Sequence, residues 1–126
     1  FYGLLDLTLH EEFDSSSLKS TTEIMSELQN SITHYTYTVG THQQASFDHL
    51  LGYGASYYGY LWSEVYAADM YSVFEKEGLL NLETGLHFRR TILEKGGSEN
   101  PMNLVKAFLR RDPNNEAFLK NHGIID

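Results

Sequence analysis

The stretch HLLGYGASYYGYLWSEVYAADMY, residues 49–71, decides the fold and poses the functional question. It holds one histidine, three glycines in its first half and six tyrosines. Glycine and tyrosine are weaker helix formers than alanine or leucine, and a glycine costs about 1 kcal/mol in a helix interior. The spacing still predicts a helix over about 55–76, with Gly78 well placed to end it. Something besides helix formation set this composition. Tyr53, Tyr57, Tyr60 and Glu64 fall at i, i+4, i+7 and i+11, one stripe on one helix face. Tyr58, Leu61, Val65 and Tyr66 form a neighbouring, more apolar face able to enter a core.

Working outward, residues 33–46 (THYTYTVGTHQQAS) lack helical periodicity and read as a long loop, with a short strand-like piece around 35–39. A loop of that length in a compact chain is more often functional than idle. Before it, Leu4, Leu5, Leu7 and Leu9 predict a helix over 1–12. The serines at 15–17, after Asp14, can cap a second helix carried by Leu18, Thr21, Ile24, Met25, Leu28 and Ile32. After the tyrosine segment comes a helix over about 82–93, broken by Gly96 and Gly97. Asn100–Pro101 and Asp112–Pro113 each place a capping residue before a proline, the pattern of a helix start. The last helix ends near His122, with Gly123 beyond it. The fold class is all-α, without repeats or linkers.

Composition narrows the partners. The 126 residues suffice for one modest core, and an apolar fraction of 41% fits a packed chain. A net charge of −8 argues against nucleic acid or an anionic membrane, both of which reward a basic surface. There is no cysteine, which is compatible with a reducing compartment. No apolar run approaches the ~20 residues of a membrane-spanning helix. The opening FYGLLDLTLH lacks a cap or leading turn and reads as a piece of something longer.

Four candidate constellations can be weighed against plainer readings. HEEFD at 10–14 nears the zinc pattern H-E-x-x-H, but Asp14 stands where the second histidine belongs, so an exposed helix end is the better reading. His34, His42 and His87 read as surface or loop residues, and His122 suits the negative end of a helix dipole. The arginines at 89–90 and 110–111 could clamp a carboxylate, though helix-end arginines more often face solvent or pair with glutamate. The tyrosine stripe alone would read as packing. His49, Gly52 and Gly54 standing before it change the balance. Glycine permits positive φ or close main-chain approach, and a histidine with several phenols could hold a peptide and stabilise an oxyanion.

The run HLLGYGASYYGYLWSEVYAADMY, followed by FRRTILEKGGSENPMNLVKAFLRRDPNNEAFL, resembles the C-terminal part of the thimet oligopeptidase family of zinc metallopeptidases. The likeness is strongest over 47–123 and continues through LLDLTLH and STTEIM, so it covers nearly the whole chain. It implies the C-terminal helical part of a zincin-like catalytic domain over 1–126, acting on short unfolded peptides. The zinc would be held by residues outside this chain, which supplies no metal ligand. By the same resemblance His49 and Tyr60 stabilise the tetrahedral oxyanion, Tyr53 and Tyr57 contact substrate, and Gly52 and Gly54 belong to a glycine loop over the cleft. That loop is shorter here than in thimet oligopeptidase itself. The implied partners are short peptides and the remainder of the catalytic domain, in the cytoplasm or mitochondrial matrix, without nucleic acid or membrane. The alternative is a non-catalytic helical module that binds a peptide or a protein.

Overall fold

The computed structural model describes residues 1–11 and 19–126, and among these every regular element is helical, with no strand. The expected strand-like piece at 35–39 is irregular chain, followed by a 3₁₀ turn at Gln43–Ser46. The chain divides into two compact units, Phe1–Tyr60 and Leu61–Asp126.

In the first unit, α1 (Tyr2–Leu9) packs on α2 (Thr21–Ile32), and Leu5 and Met25 are its fully buried apolar side chains. The serines at 15–17 lie outside the described residues. Ser20 caps α2 instead: its hydroxyl accepts from Glu23 N–H at 3.2 Å, and the Glu23 carboxylate accepts from Ser20 N–H at 2.7 Å. That reciprocal pair satisfies two of the donors a helix start leaves open. The short helix α3 (His49–Gly52) follows the 3₁₀ turn.

The tyrosine segment departs from expectation. Helix α4 spans Gly59–Glu77, so it begins at Gly59 rather than near Ala55. Ala55 sits at φ +58, left-handed backbone that an L-residue seldom adopts and that a helix cannot include. The Asp6 carboxylate takes the N–H groups of Ala55 and Tyr57 at 3.0 and 2.8 Å, holding the chain in a turn. Tyr53, Tyr57 and Tyr60 therefore do not form one helical stripe. Of the apolar face, Tyr58 and Leu61 are 44% and 54% exposed, whereas Val65 and Tyr66 are half-buried. Gly78, at φ +105, ends α4 as expected.

In the second unit, Asn81 caps α5 (Leu82–Phe88) by accepting from the N–H groups of Glu83 and Thr84. The helix runs on as a π-helical turn, Arg89–Leu93, so the element closes where the sequence predicts. Asn100 and Pro101 start α6 (Pro101–Leu109) in the expected way. Asp112–Pro113 starts nothing, because α7 spans Glu116–Asn121. The reason is Asp69, nearly fully buried on α4, which draws in Arg111 and the Asn114 N–H at 2.9 Å. Asp112 is taken by Lys106 at 2.7 Å, and Asn114 accepts from Glu116 N–H in its place. Phe74, Phe88 and Phe108 form the aromatic core of this unit, with ring centroids 5.3–6.0 Å apart. His87 joins it, stacked on Phe108 at 5.2 Å, and is half-buried against the core rather than a surface residue.

Candidate functional site

His49 opens α3, Gly52 closes it, and Tyr53 follows as its C-terminal cap. Tyr57 lies in the turn after it, and Tyr60 is the second residue of α4. The break between α3 and α4 folds these residues into a cluster. The His49 ring centroid lies 5.8 Å from that of Tyr53, 5.2 Å from Tyr57 and 5.9 Å from Tyr60. Tyr57 and Tyr60 meet edge-on at 5.0 Å. His49 Nε2 and the Tyr60 hydroxyl share a hydrogen bond of 3.0 Å. Tyr53 and Tyr60 are 68% and 61% exposed, so the phenols are presented outward rather than spent on packing.

Behind these rings stands an apolar wall. Phe47 lies 5.3 Å from His49 and 5.2 Å from Tyr57, and Tyr2 of α1 lies 5.1 Å from Phe47. Such tilted and edge-on contacts contribute about 0.5–1.5 kcal/mol each beyond area burial. They back the ring cluster while the Tyr60 hydroxyl, paired with His49, stands at an exposed rim.

The two glycines serve different ends, and neither has positive φ. A side chain at Gly52 would meet nothing within 4 Å, so that edge is open. A Cβ at Gly54 would collide with His10 Nε2, so any side chain there would have to displace that ring. The His10 ring is held in turn by Asp6, whose main-chain oxygen lies 2.7 Å and whose carboxylate 3.1 Å from Nδ1.

Asp6 is the residue of this site that sequence reasoning missed. It is completely buried. Burial pushes its carboxyl up, but the N–H groups of Tyr57 and Ala55, the nearby His10 and the Ser56 N–H outweigh this and hold it below the usual carboxylate range. The one available signal was an aspartate set among leucines in LLDLTLH. Nothing local shows that its partners lie some fifty positions away.

As for metal, His10 is tied to Asp6, while Asp14 lies outside the described residues, so HEEFD forms no described site. Among the described residues, no group of three or more His, Asp or Glu side chains could hold a metal ion. Of the arginines, Arg89 pairs with Glu94 at 2.9 Å, and Arg111 clamps the carboxylate of Asp69. A cavity of about 330 Å³ in the second unit, lined by Val73, Glu77, His87, Arg90 and Phe108 among others, shares no residue with the tyrosine cluster. No described helix is long and apolar enough to cross a membrane.

Comparison with known proteins bears on this geometry. Residues 1–124 match the model of peptidase family M3. Oligopeptidase A of Salmonella typhimurium is 41% identical over 125 residues, covering 98% of this chain and 18% of that protein. A thimet-like oligopeptidase of Dictyostelium discoideum is 43% identical over 86 residues, covering 68% of this chain and 13% of that protein. The mitochondrial intermediate peptidase of Rattus norvegicus is 34% identical over 119 residues, covering 94% and 16%. The chain thus spans less than a fifth of the length of each of these relatives. From first residue almost to last, it belongs to peptidase family M3.

Proposed function

We propose that this chain is the C-terminal part of the catalytic domain of a zinc-dependent oligopeptidase, and that it supplies the residues that grip short peptides and stabilise the oxyanion of their hydrolysis. The observation that carries this is the 3.0 Å pairing of His49 Nε2 with the Tyr60 hydroxyl, on an exposed edge, in a chain of this family. The zinc, held by residues outside the chain, would activate the attacking water.

The chain's own part is to meet negative charge as it develops on the scissile carbonyl oxygen. Tyr60 does so by donating its O–H. That role fixes the hydrogen-bond direction: His49 carries its proton on Nε2 and donates to the phenol oxygen, leaving the Tyr60 hydrogen free for the oxyanion. A donor poised before reaction is worth most, because no reorganisation is needed as charge appears. Tyr53 and Tyr57 present phenols beside this pair and hold the substrate. The open edge at Gly52 lets its main chain come close. The relative named mitochondrial intermediate peptidase supports the mitochondrial side of an expected place in the cytoplasm or mitochondrial matrix.

The test is Tyr60→Phe in the full-length peptidase, assayed with a quenched fluorescent peptide. It removes a hydroxyl and keeps the ring. Loss of an oxyanion donor lowers kcat by roughly 10²–10³-fold, about 3–4 kcal/mol, with KM little changed. A wild-type rate in Tyr60→Phe overturns the assignment, and peptide binding without turnover in the parent would make the cluster a binding module.

A further inference from the structure

We infer that Asp6 is the positioning residue of the site: its buried carboxylate clamps the turn that sets Tyr57 and Tyr60 against His49. This rests on the oxyanion reading for its consequence in turnover, and on geometry for the clamp itself.

The carboxylate uses both oxygens on one short segment. Oδ1 accepts from Ala55 N–H at 3.0 Å and Oδ2 from Tyr57 N–H at 2.8 Å. Between them Ala55 is held at φ +58, a conformation that persists only where its surroundings impose it. The chain then enters α4 directly, with Gly59 N–H donating to Ser56 C=O at 2.9 Å and Tyr60 N–H to Tyr57 C=O at 3.2 Å. The Tyr57 amide is therefore fixed by Asp6 while its ring lies 5.0 Å from Tyr60 and 5.2 Å from His49. His10 closes the arrangement from the other side, its Nδ1 on Asp6 and its Nε2 edge against Gly54.

A structural role alone does not explain this choice of residue. Buried charge is weak evidence for stability, since well-packed apolar groups often serve as well. A carboxylate is the side chain that can accept from two N–H groups with two equivalent oxygens. An amide of the same shape has one acceptor and would turn an NH₂ toward one of the donors. The device demands a particular turn, and that turn aims the phenols.

The experiment is Asp6→Asn in the full-length peptidase, alone and combined with Tyr60→Phe. Amide hydrogen exchange is followed over 54–57 and over α6, and kcat and KM are measured in parallel. The clamp predicts faster exchange at 54–57, about tenfold or more, with α6 unchanged. It also predicts a kcat lowered about 10- to 100-fold, as misplacement of a reacting group does, with KM altered less. In the Tyr60→Phe background the same substitution should lower kcat by less than about twofold, because the two act through one hydroxyl. Unchanged exchange at 54–57 overturns the inference. So does an equal kcat loss in both backgrounds, which would mark a general structural effect. If Tyr60→Phe alone keeps the wild-type rate, the oxyanion reading falls, and the exchange result still decides whether Asp6 orders the turn.

Discussion

Each unit of this chain builds a histidine into an aromatic cluster and buries an aspartate, and the two constructions serve opposite ends. In the second unit His87 stacks on Phe108, with Nε2 3.2 Å from the Phe108 carbonyl and Nδ1 3.2 Å from the Thr91 hydroxyl. Both ring nitrogens are engaged within the fold, and the neighbouring rings are phenyls that carry no polar group. In the first unit His49 meets phenols, and its Nε2 partner is a hydroxyl on a ring 61% exposed. The aspartates differ in the same sense. Asp69 is neutralised by the guanidinium of Arg111, which ties α4 to the chain leading into α7. Asp6 takes uncharged N–H groups and shapes a turn. The same residue types thus make scaffold where their polar atoms are consumed internally, and a candidate site where one is left facing outward.

The sharpest way to break this contrast begins at Phe108, 2% exposed at the centre of the scaffold cluster. Phe108→Ala should destabilise by about 3–5 kcal/mol through lost transfer energy and the cavity left behind, read as a lowered melting temperature of the full-length protein. Where the variant remains folded its kcat should be that of the parent. A large kcat loss without destabilisation would mean the two clusters do not divide the work as proposed.

Exchanging the histidines tests the same division at smaller amplitude. His49→Ala should lower kcat by about 10²-fold, because Tyr60 loses the N–H that aims its hydroxyl at the oxyanion, and should cost only about the 0.5–1.5 kcal/mol of a ring contact in stability. His87→Ala should leave kcat alone and cost about 1–3 kcal/mol of stability, because the Phe108 carbonyl and Thr91 lose a half-buried partner. Circular dichroism melts beside steady-state kinetics separate the two, and a reversed pattern would reassign the site.

The aspartates add a pH test. Burial pushes the Asp69 carboxyl up, but the Arg111 hydrogen bond, the Asn114 N–H and the Arg111 charge hold it below the ordinary carboxylate value. A depressed folded value means that its stabilisation is complete above the unfolded pKa and fades as pH falls through the folded one. Melting temperature should therefore fall as pH drops below the ordinary carboxylate value, and less steeply in Asp69→Asn. Identical acid profiles would show that this pair contributes little.

Smaller again is Tyr57→Phe. If Tyr57 only holds substrate, KM should rise severalfold, by roughly the 0.5–1.5 kcal/mol of one hydrogen bond, more than kcat falls. The smallest expected effect is a null one. Equilibrium dialysis of the 126-residue chain with zinc should show weak binding only. A tight stoichiometric site lost in His10→Ala would restore HEEFD as a metal motif.

What the sequence determined by itself was mostly local. Helical periodicity, the Asn100–Pro101 start, Gly78 and Gly123 as terminators and the all-α class follow from interactions within a few residues, where side-chain type dictates backbone preference. The proposed residues His49, Tyr53, Tyr57 and Tyr60 could be named there too, through the family resemblance of their run and their closeness in the chain. Their arrangement was not. Helical counting placed the tyrosines on one stripe, whereas Asp6 forces a turn at Ala55 and gathers them around His49. Asp112–Pro113 failed as a helix start for a similar reason, because Asp69 claims the neighbouring Arg111 and Asn114 N–H from 42 and 45 positions away. In both places a buried carboxylate found its donors far along the chain, and a buried charge left unpaired costs more than any local propensity can return. Tertiary structure decided those two turns, and with the first of them the geometry of the site.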